Sequence, residues 1–288
     1  MAQNRTYAQV LDGIEALAGV DAFTTAEQTR ILANVNRRIY QAYRASELWP
    51  RYLVRGQARA APDGVIPLTY DAASGVRTGS SATRSGGTVT IVCTAAVDVV
   101  EGMEVTVSGL SGTVSANVTA AVTGVSTTTV TDDTITYEVE TTNTGSEPYS
   151  GTATVTPVTI PDIDSFIRVW DGNPNSTSYA AEYDFTVTPD GAEVQNNFRD
   201  KEGFWVMFKK EWDGPYLSSA TDIPQEFFDF AVHAGYADFL RGEGQTDRAL
   251  AEEQFASAIL SLELQKAEVG QNAMSYRRIQ THASRQSR

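Results

Sequence analysis

A chain of 288 residues, 41% hydrophobic and 20% charged, is long enough for a full core and for two domains of ordinary globular composition. Its net charge of −14 excludes general nucleic-acid binding, because most of its surface repels phosphate. The single cysteine, Cys93, excludes an intrachain disulfide, and no apolar run approaches the ~20 residues needed to span a bilayer.

Residues 1–10 lack the apolar segment of a secretory signal, so a cytosol-like compartment is expected. Thr6-Tyr7-Ala8-Gln9 fits a capping box, with Val10, Leu11, Ile14, Leu17 and Ala18 following at helical spacing before Gly19. Thr24-Thr25-Ala26-Glu27 is a second capping box. It opens a helix whose apolar stripe is Ile31, Leu32, Val35, Ile39, Ala42 and Tyr43, running towards Leu48-Trp49 and stopped by Pro50. Arg30, Arg37, Arg38 and Arg44 occupy its other face, which reads as solvated, with an inter-subunit contact as the alternative. Residues 51–60 read as a strand, Pro62-Asp63-Gly64 as a turn, and Val65-Ile66-Pro67-Leu68 as the return strand.

Residues 76–156 differ from everything around them: 81 positions hold 21 Thr and 15 Val, with no Phe, Trp or Lys. A β-branched, turn-punctuated block of this kind predicts an all-β domain, an immunoglobulin-like sandwich or a small barrel, inserted into a loop of its host. Residues 75–87, rich in Ser, Gly and Thr, read as its leading linker. Cys93 lies in a strand-like run, which predicts a buried thiol.

After the insert, residues 165–170 and 203–210 read as strands, and 183–187 with 192–195 as a hairpin across Pro189-Asp190-Gly191. Ile223-Pro224 leads into a helix over 225–241 with Phe227, Phe230, Ala231, Ala234, Ala237 and Leu240 inward. Gly242-Glu243-Gly244 turns into a last helix over 245–268, with Ala249, Leu250, Phe255, Ala258, Ile259 and Leu262 on its apolar side. The small residues Ala231, Ala234, Gly235 and Ala237 would let these two helices approach closely. Helical periodicity stops after Gly270, and 271–288 reads as an extended basic tail. Four arginines and no acid lie in 270–288, which leaves −18 on the remainder. The expected fold class is α+β. It comprises a bundle of four main helices with a small antiparallel β region (1–75 and 157–270), the inserted all-β domain (76–156) and the tail (271–288).

No constellation for catalysis emerges. His233 and His282 are the only histidines, and His233 has no His or Cys three or four positions away, so it reads as a core or interface residue rather than a ligand. Asp132-Asp133 reads as a solvated turn in preference to a calcium site. No Gly-x-Ser-x-Gly elbow is present, and Gly242-Glu243-Gly244 lacks the third glycine of a dinucleotide loop. The carboxylate neighbours Glu182 and Asp184, or Glu252 and Glu253, are not placed across a cleft by anything in the sequence. Catalytic, cofactor and metal residues are therefore not expected, which points to an assembly part rather than an enzyme. The sharpest remaining feature is the tail. Met274, Tyr276 and Ile279 are apolar anchors beside Arg277, Arg278, Arg285 and Arg288, a set suited to phosphate or to an acidic protein partner. A disordered solubilising tail is the plain alternative.

The order helix, helix ending in Leu48-Trp49-Pro50, β region, Ile223-Pro224-Gln225-Glu226-Phe227 and a helical hairpin at Gly244-Gln245-Thr246-Asp247 resembles the head-to-tail adaptor proteins of tailed bacteriophages, the family of tail tubular protein A. The resemblance covers 1–75 and 157–288. Within the insert, Val100-Glu101-Gly102-Met103-Glu104-Val105-Thr106-Val107-Ser108-Gly109-Leu110-Ser111-Gly112 is similar to a stretch of small β modules found in phage structural proteins. It departs from them in having Glu104 after Met103, and in lacking an opening His-Gly near Ala96-Val97-Asp98. The resemblance implies a virion protein at the head–tail interface, assembled in the host cytoplasm. It implies a dodecameric ring beneath the portal protein and above the tail nozzle or tail tube, lining a channel through which genomic DNA passes without sequence-specific contact. No cofactor and no membrane are implied. The C-terminal residues Met274, Tyr276, Arg277, Arg278, Ile279, Arg285 and Arg288 would dock on the portal. A rival expectation makes the β insert an adhesion module for a receptor, a glycan or a capsid surface, although it offers only Tyr137 and Tyr149 as aromatics.

Overall fold

The structure, a computed structural model, describes residues 4–69, 76–94, 99–112, 115–127, 132–140, 145–158, 161–175, 180–195 and 203–286; along the last helix, side chains are described as far as Val269. It is a mixed α/β protein with four helices and many strands, six of which close a barrel. In chain order come β1 (Asn4–Arg5), α1 (Tyr7–Ala18), α2 (Thr25–Arg44), β2 (Leu53–Ala60) and β3 (Val65–Pro67). Seven strands follow: β4 (Arg77–Ser85), β5 (Thr88–Thr94), β6 (Glu104–Ser108), β7 (Thr119–Thr127), β8 (Asp132–Glu138), β9 (Ser146–Tyr149) and β10 (Ala153–Pro157). Then come β11 (Ile163–Trp170), β12 (Glu182–Tyr183), β13 (Phe185–Thr188), β14 (Gly191–Val194), β15 (Gly203–Lys210), β16 (Ile223–Pro224), α3 (Gln225–Gly242) and α4 (Thr246–Gln286).

Two compact units result, Met1–Leu53 with Trp212–Arg288 and Val54–Glu211. In the first, both expected capping boxes form. Thr6 Oγ1 accepts from the Gln9 amide at 3.1 Å and Thr24 Oγ1 from the Glu27 amide at 3.4 Å, while Gln9 and Glu27 reach back to the cap amides. The helix α2 ends at Arg44, short of the expected Leu48-Trp49, because Trp49 folds back and donates its indole N–H to the Ala42 carbonyl at 3.0 Å. The core is aromatic. Trp49 and Tyr52 flank Phe227 with ring centroids at 5.0 and 6.2 Å, and Tyr43 meets Tyr52 edge-on at 4.9 Å. The centre of the unit is α3, packed by α1, α2 and α4. Gly235 has a role other than the expected one. A Cβ there would lie 2.9 Å from Ile14 Cδ1 and 3.2 Å from Val35 Cγ2, so its bare backbone admits α1 and α2 rather than α4.

In the second unit, pairing runs β10-β6-β7-β8-β5-β4 and closes through β10–β4, with β9 added on β4. The alternatives open in the sequence thus resolve to a closed barrel, which leaves no free edge among those six strands. Strict alternation supports it: Val89, Ile91, Ile135, Tyr137, Val105, Val107 and Val155 point inward. The segment expected as a linker, 75–87, instead contains β4, whose Gly79/Ser81 irregularity lets its first half pair β10 and its second half β9. Small side chains are no obstacle to a strand that packs on both neighbours. Asp132 and Asp133, expected in a turn, open β8 opposite Thr94 and Cys93. Cys93 is buried, as expected.

The strands flanking 76–156 group with the barrel, not with the helices as the sequence division has it. A four-stranded sheet (β12-β11-β15-β2) packs against a three-stranded one (β13-β14-β3) around Ile66, Phe166, Val194, Phe204, Val206 and Phe208. The reason for the grouping is β15, which is apolar on both faces. Phe204, Val206 and Phe208 fill the inter-sheet core, while Trp205 packs with Ala58, Ala60, Val100 and Met103. Gly102 (φ +90°) lies so close that a Cβ would fall 2.2 Å from the Trp205 ring.

Candidate functional site

The candidate functional region is the outer surface of the helical unit, and an ion network gives that surface its rigidity. Asp238 on α3 is buried, with 5% of its side chain exposed. Arg38 on α2 grips it through two bonds, Nη2 to Oδ1 at 2.7 Å and Nε to Oδ2 at 2.8 Å. Arg37 adds a third at 2.9 Å and Arg241 a fourth at 3.3 Å. Glu253 on α4 joins Arg38 at 3.2 Å and also binds Arg241. Burial pushes the Asp238 carboxyl up, but the hydrogen bonds and charges of Arg38 and Arg37 outweigh it and hold it below its ordinary value. Arg241 does the same for Glu253, and Asp238 raises Arg38. Two of the four arginines expected on a solvated face are thereby committed to a clamp across α2, α3 and α4. Sequence reasoning missed this because the partners lie about 200 positions apart; the available signal was Asp238 inside an apolar helix face.

Along its outward face α2 presents Arg30, Arg37 (partly exposed while it holds Asp238) and Arg44 at seven-residue spacing, alongside Ala26, Ala33 and Tyr40 at the same period. Tyr40 is held by Trp212 (centroids 5.1 Å) and by the Arg44 guanidinium 5.9 Å above its ring. On α4 the outcome reverses an expectation. Ala249, Ala256 and Ala267 are the buried positions, while Leu250, Phe255 and Leu262, expected inward, are more than half exposed. Close packing on α3 selects the alanines; Ile259, Leu260 and Leu264 pack partly buried beside them, and Leu250, Phe255 and Leu262 are left outside. His233 donates or accepts at Glu252 Oε2 (3.0 Å) and meets the Phe255 ring edge-on at 4.6 Å, a helix–helix contact as expected.

The sequence-predicted docking residues Met274, Tyr276, Arg277, Arg278, Ile279 and Arg285 lie on α4, and Arg288 lies outside the described residues. The helix continues to Gln286 where an extended segment is expected after Gly270. A lone glycine costs a helix only about 1 kcal/mol relative to alanine, and no proline follows to stop it. At 1.5 Å per residue α3, with 18 residues, spans about 27 Å and α4, with 41, about 62 Å, so α4 overshoots its hairpin partner by more than 30 Å.

A shallow groove of about 320 Å³ lies among Trp49, Pro50, Arg51, Glu226, Glu263 and Lys266; two acids and two bases line it. Among the described residues no group of three His, Cys, Asp or Glu is placed to hold a metal ion, and no helix is long and apolar enough to cross a membrane. The chain matches no protein-family model, no curated protein and no solved structure.

Proposed function

We propose that this chain is a structural, non-enzymatic part of a tailed virion, a head-to-tail adaptor that forms a ring between the portal protein and the tail nozzle or tube. On this reading the four helices form the host bundle and the barrel is a module inserted into it. The helices surround the passing genomic DNA. The end of α4, carrying Met274, Tyr276, Arg277, Arg278, Ile279 and Arg285, docks on the portal together with Arg288 of the sequence that follows it.

One observation carries the reading: α4 runs more than 30 Å past α3 and ends in the one strongly basic stretch of an acidic chain. A helix whose last turns, after Val269, carry three arginines and no acid is built to engage something else, and an acidic neighbour is the electrostatic match. The −18 borne by the rest of the chain suits a channel wall, since DNA slides where phosphate finds no arginine or lysine to hold it. The test is deletion of 271–288. The shortened protein is expected to keep its helical circular dichroism outside that segment and to lose co-sedimentation with portal. Undiminished portal binding by the truncated chain removes the anchoring role.

A further inference from the structure

Over residues 250–265 the outward face of α4 carries no charge, where a solvated helix should carry most of its charge. Every exposed position from 250 to 265 is uncharged, and Phe255, Leu262 and Val269 run along the face at seven-residue intervals, with exposures of 54%, 58% and 70%. Four of the nine exposed large hydrophobic side chains among the described residues belong to this one helix. Ala258 lies between Phe255 and Leu262, which lowers the surface and admits another backbone. An apolar stripe at a period of seven is the pattern of a helix that packs against a second helix.

A second helix of the same unit offers a counterpart. The outward face of α2 repeats at the same seven-residue period, with small side chains at Ala26 and Ala33, ordered Tyr40 beyond them, and Arg30, Arg37 and Arg44 along the flank. Large residues on α4 oppose small ones on α2, as interdigitating helix faces require. The charges also match. Arg37 and Arg38 are engaged by Asp238. Arg30 and Arg44, on the flank of this helix, attract the body of a second copy in a chain of net charge −14, whereas two acidic bodies meeting elsewhere repel. The α4 stripe is about 30 Å long and about 10 Å wide, roughly 300 Å² against the ~800 Å² per partner of a stable isolated pair. A contact of that size persists when each copy makes it twice and the set closes.

We infer that the uncharged face of α4 in one copy docks on the outward face of α2 in the next, a head-to-tail seam that closes a ring. The seam rests on the ring reading above, and it specifies which surfaces meet. The test is sedimentation velocity and native mass spectrometry of the full chain with Leu262→Lys and, separately, Ala33→Lys. Both sites are exposed, and Val269→Lys serves as a third probe should Leu262→Lys disturb folding. Each substitution is expected to reduce the wild-type assembly to the 31.2 kDa chain with unchanged near-UV circular dichroism. The conservative Leu262→Met is expected to keep it. If wild type assembles and Leu262→Lys and Val269→Lys assemble equally well, the seam is wrong while the ring stands. If the α4 variants fail but Ala33→Lys assembles, the contact is not head-to-tail through α2, and the inference is overturned. If wild type is itself a monomer, the ring reading falls and the seam with it.

Discussion

The two units solve the burial problem in opposite ways. The barrel closes on itself with β-branched residues, satisfies its strand edges internally, and turns a hydroxyl-rich wall outward, where Thr106 meets Thr119 at 2.9 Å and Thr123 meets Thr136 at 3.3 Å. The helical unit concentrates aromatics and ion pairs inside, around Phe227 and Asp238, and leaves an apolar helix face and an arginine stripe outside. The closed barrel satisfies its own edges. The helical unit leaves Leu262 and Phe255 exposed, an apolar surface of the kind that contacts between molecules cover.

That contrast is broken most sharply by Phe227→Ala. Removing a ring held between Trp49 and Tyr52 is expected to cost about 4 kcal/mol. The effect should fall on the helical transition in urea denaturation and spare the barrel. Next comes Asp238→Ala, which leaves Arg38, at 12% exposure, with Glu253 as its remaining carboxylate partner and is expected to cost about 3 kcal/mol. The same group sets an acid limit. Its folded-state value lies below the unfolded one, so its stabilisation is complete above about pH 4 and is lost as pH falls through the depressed value. Asp238→Asn is expected to flatten the acid limb of a stability-against-pH curve. An unchanged limb would remove the clamp from the account.

In the other unit Gly102→Val forces a side chain at φ +90° into the Trp205 ring, with an expected loss of about 2 kcal/mol read in Trp205 fluorescence. The smallest effect expected is Tyr137→Phe. The hydroxyl donates to the Ala116 carbonyl at 2.8 Å inside the barrel, and its removal should cost about 1 kcal/mol. A larger loss would mean that the barrel depends on specific polar contacts and is less self-sufficient than its closure implies.

Local chemistry was legible. The Thr6/Gln9 and Thr24/Glu27 boxes, the bounds of β15 and the inward face of α3 follow from spacing within a few residues. The β character of 76–156 follows from its threonines and valines. The site was legible only in part. The arginines of α2 were visible, but not that Arg37 and Arg38 are engaged by Asp238. The apolar side of α4 was visible too, but Leu250, Phe255 and Leu262 were assigned to the wrong side of the surface. Composition ranks Leu and Phe above Ala for burial, and close packing against α3 reversed the ranking.

Sequence alone therefore determined caps, periods, the composition of the β block and the placement of charge, because these depend on neighbours within a turn or a strand. Tertiary structure alone decided the closure of β10 on β4, the joining of Trp205 to the barrel, the Asp238 clamp and the choice of α4 face. Each of these is a meeting of residues distant in the chain. Which of them meet is set by shape and by charge pairing in three dimensions, quantities that no local pattern encodes.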